Sequence, residues 1–175
     1  MNSTDCIFSQ LKATVRTGWV QHGVPAPESV AEHSWGTAFL CLCYGHEAGI
    51  DTSRAVTMAL VHDLAEARTG DLAWNPTIDK EKKHERERSA VTGICASLSE
   101  QGARAQIIAE LTTEYMDAES PEALFVRDMN LIDMVLQAKR YRTVRSGEAL
   151  SMFHENSRMR LRTNFGTRLF DRLCG

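Results

Sequence analysis

The sequence predicts an all-α fold, and two observations support this prediction. Apolar residues recur at helical spacing along most of the 175 residues. No stretch alternates polar and apolar residues strongly enough, with a period of two, to indicate a strand. The length suits a single domain, and neither repeats nor changes in composition suggest a second one. We therefore expect residues 1–175 to form one compact helical bundle.

Glycine, proline and capping residues divide the first half of the chain into separate helices. Ser29 is a typical N-cap residue, as are Thr52 and Ser53, either of which could begin the next helix. Gly49 follows one helical stretch, and residues 17–27, with two glycines and two prolines, are expected to form a loop. The helices predicted in this half span about residues 4–14, 29–47 and 52–68.

The second half begins after an interruption of the helical pattern at residues 70–76. The charged stretch that follows is expected to be a helix with a solvated face. Gly102 precedes another helix, and Ser120-Pro121 is a typical helix start, since proline is favoured at the first helical position. The helices predicted in this half span about residues 79–98, 103–115, 120–138 and 158–173.

The charge of the chain argues against a general affinity for polyanions. The formal net charge is -3, so electrostatics provides no overall attraction to nucleic acid or membrane. Residues 139–175 nevertheless hold nine Lys or Arg and only three acidic residues. This basic segment could bind a phosphate-bearing ligand or RNA, but arginines at helical spacing are more often a solvated face. We favour the second interpretation, and nucleic acid is not an expected partner.

The cysteines and the N-terminus indicate a cytoplasmic protein. Five cysteines, an odd number without a Cys-x-x-Cys pair, do not make a disulfide framework. The first ten residues lack the basic and apolar regions of a signal peptide. No run approaches the ~20 apolar residues of a membrane span, so no membrane association is expected.

The most informative feature is the pair His62-Asp63, which stands with Glu66 in an apolar run. An imidazole beside a carboxylate suits a divalent ion, whereas a buried carboxylate without a partner is costly. On a helix Glu66 lies one turn further on the same face, where it could handle protons beside the ion. His33, near the start of another apolar helix, could hold the same ion from a second side.

Four short segments of the chain share the order and spacing of a known family. They resemble the HD-domain phosphohydrolases, and most closely the branch of 5'-deoxynucleotidases. The resemblance covers about residues 8–140 and implies one HD domain, in which residues 141–175 are a basic helical extension. The segments are Arg16-Thr17-Gly18-Trp19, residues 28–33 from Glu28 to His33, residues 62–66 with Gly70-Asp71, and residues 125–130 from Phe125 to Asn130.

The resemblance implies a metal-dependent reaction. One divalent ion is expected to be held by His33, His62, Asp63 and a fourth side chain from the helix at residues 120–138. The sequence does not distinguish Mn, Co, Mg, Zn or Fe. A bound ion of this kind lowers the pKa of its water and offsets charge on a phosphoryl oxygen. Asp63 and Glu66 are the expected catalytic residues, with Glu66 orienting the water or protonating the leaving alkoxide.

The resemblance also implies a nucleotide substrate. Arg16 is expected to grip its phosphate, Trp19 to form a wall against the sugar or base, and Asp71 to contact sugar hydroxyls. Without the motif, these residues would be interpreted as an exposed arginine, a packing tryptophan and a turn aspartate. The implied reaction is hydrolysis of nucleoside 5'-monophosphates, with deoxynucleotides as the expected substrates. Related proteins form dimers, so a homodimer is expected.

Asn130 departs from the family pattern, in which the fourth ligand is an aspartate. An amide oxygen brings no charge and binds transition metals less tightly than a carboxylate. Three accounts are open: Asn130 is a weaker ligand, Asp133 one turn away reaches the ion instead, or the protein, by nature or by engineering, binds nucleotide without hydrolysing it. Asp128 is the least favoured substitute, because residues two apart point to different faces of a helix.

Overall fold

The computed structural model describes residues 3–72, 79–100, 102, 104–142 and 148–175, and all its named elements are helices. The all-α prediction is confirmed. In this part of the chain no helix combines the length and apolar composition of a membrane span. The helices are α1 (Ser3–Ala13), α2 (Thr17–Gln21), α3 (Val30–Tyr44), α4 (Thr52–Val61), α5 (Glu66–Thr69), α6 (Lys80–Ser99), α7 (Ala105–Asp117), α8 (Pro121–Tyr141), α9 (Glu148–Arg160) and α10 (Asn164–Cys174).

The long helix α8 lies at the centre of the main core. It packs against α3, α4, α7, α9 and α10, while α3 and α4 also pack on each other. The basic C-terminal segment is part of this core, because α10 buries Leu169, Phe170 and Cys174 in it. A second cluster of buried apolar residues joins α1, α5, α6 and α7. Val61, at the end of α4, packs against both clusters.

The start of α3 is tied to the preceding loop. Ser29 and Glu32 form a capping box, in which the Ser29 side chain accepts from the backbone of Glu32 and the Glu32 carboxylate accepts from the backbone of Ser29. The Arg16 backbone NH donates to Glu28 O at 2.9 Å, and the Val30 NH donates to Thr14 O at 2.8 Å. These bonds hold the loop that carries Arg16 against the first turn of α3.

The predicted helix over residues 52–68 is wrong in one respect. Helix α4 ends at Val61, and the turns that follow are closed by i→i+3 bonds, such as Leu64 N to Val61 O at 3.1 Å and Glu66 N to Asp63 O at 3.0 Å. The regular pattern changes at His62, whose ring Nδ1 lies 2.7 Å from the carbonyl oxygen of Ala59. The chain is therefore more tightly wound where the His-Asp pair lies.

Two other predicted elements also need correction. The loop expected at residues 17–27 contains the short helix α2, and the helix expected at 158–173 is divided between α9 and α10. Thr163 caps α10, because its hydroxyl oxygen accepts from the backbone of Gly166 at 2.8 Å. A threonine inside an amphipathic stretch gave no sign that a helix begins there. Residues 73–76 of the predicted interruption lie outside the described residues.

Asp128 connects α8 to the junction between α9 and α10. Its carboxylate is fully buried and accepts from the Arg162 NH at 2.7 Å, from the Thr163 NH at 2.9 Å and from the Thr163 hydroxyl at 2.6 Å. Gly166 permits this approach, since a Cβ there would lie 2.2 Å from Asp128 Oδ2. The Asp128 carboxylate therefore joins α8 to the C-terminal helices.

We expect Asp128→Ala to lower the free energy of unfolding by about 3 kcal/mol, because it leaves two backbone NH groups and a hydroxyl buried without an acceptor. Urea denaturation measures this change. The matched control is Asp117→Ala, which removes an exposed ion pair with Arg88 and should cost at most about 0.5 kcal/mol. Equal costs for the two variants would contradict this assignment.

Candidate metal centre and active site

Three donor atoms from two segments meet in the interior. His33 comes from the first turn of α3, while His62 and Asp63 follow the end of α4. Asp63 Oδ2 lies 3.2 Å from His62 Nε2 and 3.9 Å from His33 Nε2, and the donors all lie within 4.8 Å of one another. Both Nε2 atoms are buried, and neither has a hydrogen-bond partner among the described residues. This donor set fits a divalent ion.

Both histidines are oriented by their other ring nitrogen. His62 Nδ1 lies 2.7 Å from Ala59 O, and His33 Nδ1 lies 2.7 Å from Asp133 Oδ2. Burial, together with the nearby positive charge of Arg16, lowers the pKa of His33 well below its ordinary value. A neutral imidazole whose Nδ1 is engaged presents Nε2 as a lone-pair donor, as a metal ligand must.

Asn130 and Asp133 lie on opposite sides of this cluster. Asp133 is bound to the far nitrogen of the His33 ring, so it does not join the three converging donors. Asn130 donates from Nδ2 to the hydroxyl of Tyr115 at 2.9 Å, and the Tyr115 ring lies 5.1 Å from the His62 ring, measured between centroids. The Asn130 side chain is therefore held by Tyr115, which packs on His62, and its Oδ1 is not used in that bond.

Arg16 lies among three carboxylates. Its NH1 is 2.8 Å from Asp71 Oδ1, 3.3 Å from Asp63 Oδ2 and 3.8 Å from Glu66 Oε2. Asp71 also accepts from the backbone NH of Thr17 at 2.5 Å, and the Thr17 hydroxyl donates to the Asp71 carbonyl at 2.8 Å. Asp71 thus holds the Arg16 loop against the cluster, a function that the expected sugar contact did not include.

The two candidate catalytic carboxylates have opposite electrostatic surroundings. Burial alone would raise the pKa of Asp63, but His62, Arg16 and His33 lower it well below the ordinary value. Burial raises the pKa of Glu66, and the nearby charge of Asp63 raises it further. Glu66 Oε2 is also buried without a hydrogen-bond partner in the described part of the chain. These surroundings favour the ionised form of Asp63 and the protonated form of Glu66, which suits a metal ligand beside an acid.

The structure corrects the expectation for Trp19. Its side chain is 2% exposed and packs against Tyr141 and Phe153, with ring centroids 5.3 and 4.4 Å away. Its indole NH donates to Glu28 Oε1 at 2.9 Å. The ring therefore has almost no surface to offer a sugar or base, and the ordinary packing interpretation applies. The aromatic rings that enclose Trp19 belong to α8 and α9. These helices are far from Trp19 in the sequence, so the residues next to Trp19 could not predict its burial.

Three site residues had no assigned role in the sequence. Glu28 lies within reach of His33 and Asp133, with donor atoms of the three within 4.8 Å of one another. Tyr115 comes from the last turns of α7, where it looked like an ordinary helix residue. Gly36 permits α8 to approach α3 closely. Of these three residues, only Glu28 lies in one of the four segments that resemble the family, as the first residue of the segment 28–33.

Comparison with known proteins agrees with this arrangement. Residues 8–168 match the family described as HD domain. The 5'-deoxynucleotidase hdd1 of Schizosaccharomyces pombe is 39% identical over 153 residues, covering 85% of this chain and 76% of that protein. The 5'-deoxynucleotidase HDDC2 of Dictyostelium discoideum is 40% identical over 142 residues, covering 77% of this chain and 74% of that protein.

Solved structures share the fold. The crystal structure of PH0347 protein from Pyrococcus horikoshii has a TM-score of 0.76 and 33% sequence identity, and the alignment covers 95% of this chain and 92% of that chain. The match extends beyond residue 141, so the C-terminal helices belong to the shared architecture.

The pKa of Glu28 generates a prediction for the metal-free protein. Burial raises this pKa to about 7, above its value in the unfolded chain, so the folded state binds the proton more tightly. The contribution of Glu28 to stability should therefore fall as pH rises from about 4.5 to 7. We expect Glu28→Gln, which stays neutral, to reduce this fall by on the order of 1–2 kcal/mol, measured by urea denaturation at several pH values. Glu85→Gln, at an exposed site on α6, is the control; equal pH profiles for Glu28→Gln and the unmodified protein would contradict the prediction.

Proposed function

The chain belongs to the HD domain family, and from this membership and the site geometry we propose that it is a metal-dependent phosphohydrolase acting on nucleoside 5'-monophosphates, with deoxynucleotides as the preferred substrates. The observation that carries this proposal is the meeting of two buried imidazole Nε2 atoms, which accept or donate no hydrogen bond within the described residues, with the Asp63 carboxylate beside Arg16. The relatives named 5'-deoxynucleotidases support the choice of substrate. Nucleotide is the proposed partner, and membrane and nucleic acid have no part in the proposal.

We assign the divalent ion to His33, His62 and Asp63, with Asn130 as a fourth ligand. A bound ion lowers the pKa of water and offsets charge on a phosphoryl oxygen. What supports Asn130 is the direction of its hydrogen bond: Nδ2 donates to the hydroxyl of Tyr115, whose ring packs on His62, and Oδ1 is left for another partner. Because this ligand is neutral, the four residues carry one negative charge, and we expect weaker metal binding than with aspartate at this position.

The remaining residues then divide the work on the substrate. Arg16 holds the phosphoryl oxygens through its planar guanidinium, and Asp71 keeps the Arg16 loop in place. Asp63 is ionised and serves as ligand and as acceptor for the attacking water. The water adds to phosphorus, the bond from phosphorus to the 5'-oxygen breaks, and Glu66 gives its proton to that oxygen. Of the two protons of the water, one stays on the phosphate and the other returns to Glu66. The products are a nucleoside and phosphate.

Metal-free protein supplied with Mn²⁺ or Co²⁺ should release phosphate from a panel of deoxynucleoside and ribonucleoside 5'-monophosphates, and a chelator should abolish the release. We expect His62→Ala to abolish activity and Arg16→Ala to raise KM by about 10-fold or more, because the phosphate loses a charged fork. Arg86→Ala, at an exposed position on α6, is the matched control and should leave KM unchanged.

The Asn130→Asp variant separates this proposal from its rival. The proposal expects the unmodified protein to hydrolyse nucleotide. It also expects Asn130→Asp to bind the metal more tightly, because this change adds a negative charge to the ligand set. If calorimetry shows nucleotide binding, but neither the unmodified protein nor Asn130→Asp releases phosphate from any substrate of the panel, the chain is a nucleotide-binding module and not an enzyme.

We also propose a homodimer, in which two copies pair through one face of α3. Trp35, Phe39 and Leu42 lie along this face at helical spacing and are 65%, 50% and 59% exposed. The rings of Trp35 and Phe39 stack with centroids 5.4 Å apart. A second copy of the chain offers a matching apolar stripe, and a two-fold axis brings the same patch of each copy together.

Light scattering on a sizing column tests the dimer. We expect Phe39→Glu to convert the dimer to a monomer, because it places a charge in an apolar interface. Phe8→Glu makes the same change at an exposed phenylalanine of α1 and should leave the dimer intact. A dimer that survives Phe39→Glu would mean that another surface forms it.

A cytoplasmic location and a single domain over residues 1–175 complete the proposal. Free thiols suit a reducing compartment, and the described cysteines Cys41, Cys43, Cys95 and Cys174 are all free. The single domain is supported by α10, which shares the main core with α3, α4 and α8.

A further inference from the structure

The contact between Asp133 and His33 joins the two helices on either side of the site. Asp133 lies on α8, and its Oδ2 is 2.7 Å from Nδ1 of His33 on α3. The His33 side chain is fully buried, whereas that of Asp133 is 16% exposed. The hydrogen bond at Nδ1 thus fixes the side of the buried ring that faces α8.

Gly36 makes the contact possible. If residue 36 had a Cβ, this atom would lie 2.2 Å from Asp133 Oδ1 and 2.9 Å from Asp133 Cγ, which no side chain can tolerate without displacement. Glycine inside a helix costs about 1 kcal/mol relative to alanine. Helix α3 therefore has a notch one turn after His33, at the point where the carboxylate approaches.

The chemistry of the imidazole decides what the contact does. A carboxylate that accepts a hydrogen bond keeps the ring proton on Nδ1, so the lone pair is on Nε2. His33 Nε2 faces Asp63 Oδ2 at 3.9 Å and has no hydrogen-bond partner in the described structure. His62 is oriented in the same way, but by the neutral carbonyl of Ala59. Only His33 of these two rings therefore has a carboxyl group at its Nδ1.

We propose that Asp133 is a positioning residue for the metal centre: it holds His33 in the Nδ1-protonated form with Nε2 directed at the ion, and Gly36 is the notch that admits it. The inference rests on the metal centre of the proposed function. The two ring nitrogens point to opposite sides, so Asp133 supports the ligand and does not itself bind the same ion. Asp133 thus supports His33 from α8, the helix that also carries Asn130.

Cobalt binding to the metal-free protein tests the proposal without any measurement of turnover. We expect Asp133→Asn to weaken Co²⁺ binding by about 10- to 100-fold, the usual effect of losing a partner of a metal-bound histidine. Calorimetry and the visible absorption of bound Co²⁺ give the affinity. Gly36→Ala, which displaces the carboxylate without removing a charge, should weaken binding in the same direction.

A glycine in another helix provides the matched control. A Cβ at Gly93 of α6 would lie 2.2 Å from the Arg68 guanidinium, the far end of a flexible side chain that bonds to Gly93 O and to Ser97. Gly93→Ala should therefore leave Co²⁺ affinity unchanged. The effects of the two changes should not add, because both act on one contact. The double variant Gly36→Ala/Asp133→Asn should therefore bind Co²⁺ as tightly as the single variant with the larger loss of affinity.

The unmodified protein gives a test that does not depend on whether a variant folds. Nitrogen NMR of ¹⁵N-histidine-labelled, metal-free protein should show the His33 proton on Nδ1. An Nε2-protonated His33, or unchanged Co²⁺ affinity in folded Asp133→Asn and Gly36→Ala, overturns the role of Asp133 while the metal centre stands. Failure of the unmodified protein to bind Co²⁺ overturns the metal centre, and the proposed function with it.

Discussion

The site depends on one electrostatic constraint: carboxylates that are buried away from water need a positive charge beside them. Asp63, Glu66 and Asp71 approach one another closely, and Arg16 is the cation placed among them. Removing one partner of such a group leaves the others desolvated, which is more damaging than losing an exposed ion pair. The bonds between residues 14–16 and 28–30 are therefore more than loop contacts, because they deliver Arg16 to the point where its charge is needed.

The same arrangement gives two carboxylates different roles. Asp63 lies next to two imidazoles and the guanidinium, so it stays ionised, whereas Glu66 is further from the guanidinium and close to the negative Asp63. Neither residue type nor spacing determines this division, since both side chains end in the same group. The environment determines which one gives a proton and which one carries charge.

Sequence alone predicted the parts of the fold and site that have local causes. Caps at Ser29 and Ser120 mark the starts of α3 and α8, and the His62-Asp63 pair with His33 predicted the donor set. The sequence alone could not predict features that depend on contacts between residues far apart in the chain or on the course of the backbone. Trp19 is enclosed by residues of α8 and α9, and the tightening after Val61 depends on a bond from a side chain to the backbone.

The order in which the core is assembled limits when the site can form in a cell. The main core draws on helices from α3 to α10, and Leu169, Phe170 and Cys174 are among its buried members. A chain emerging from the ribosome can form its early helices but cannot close this core until α10 has emerged. The packing of α3 and α4, which carry the site, therefore depends on a helix that is made long after them.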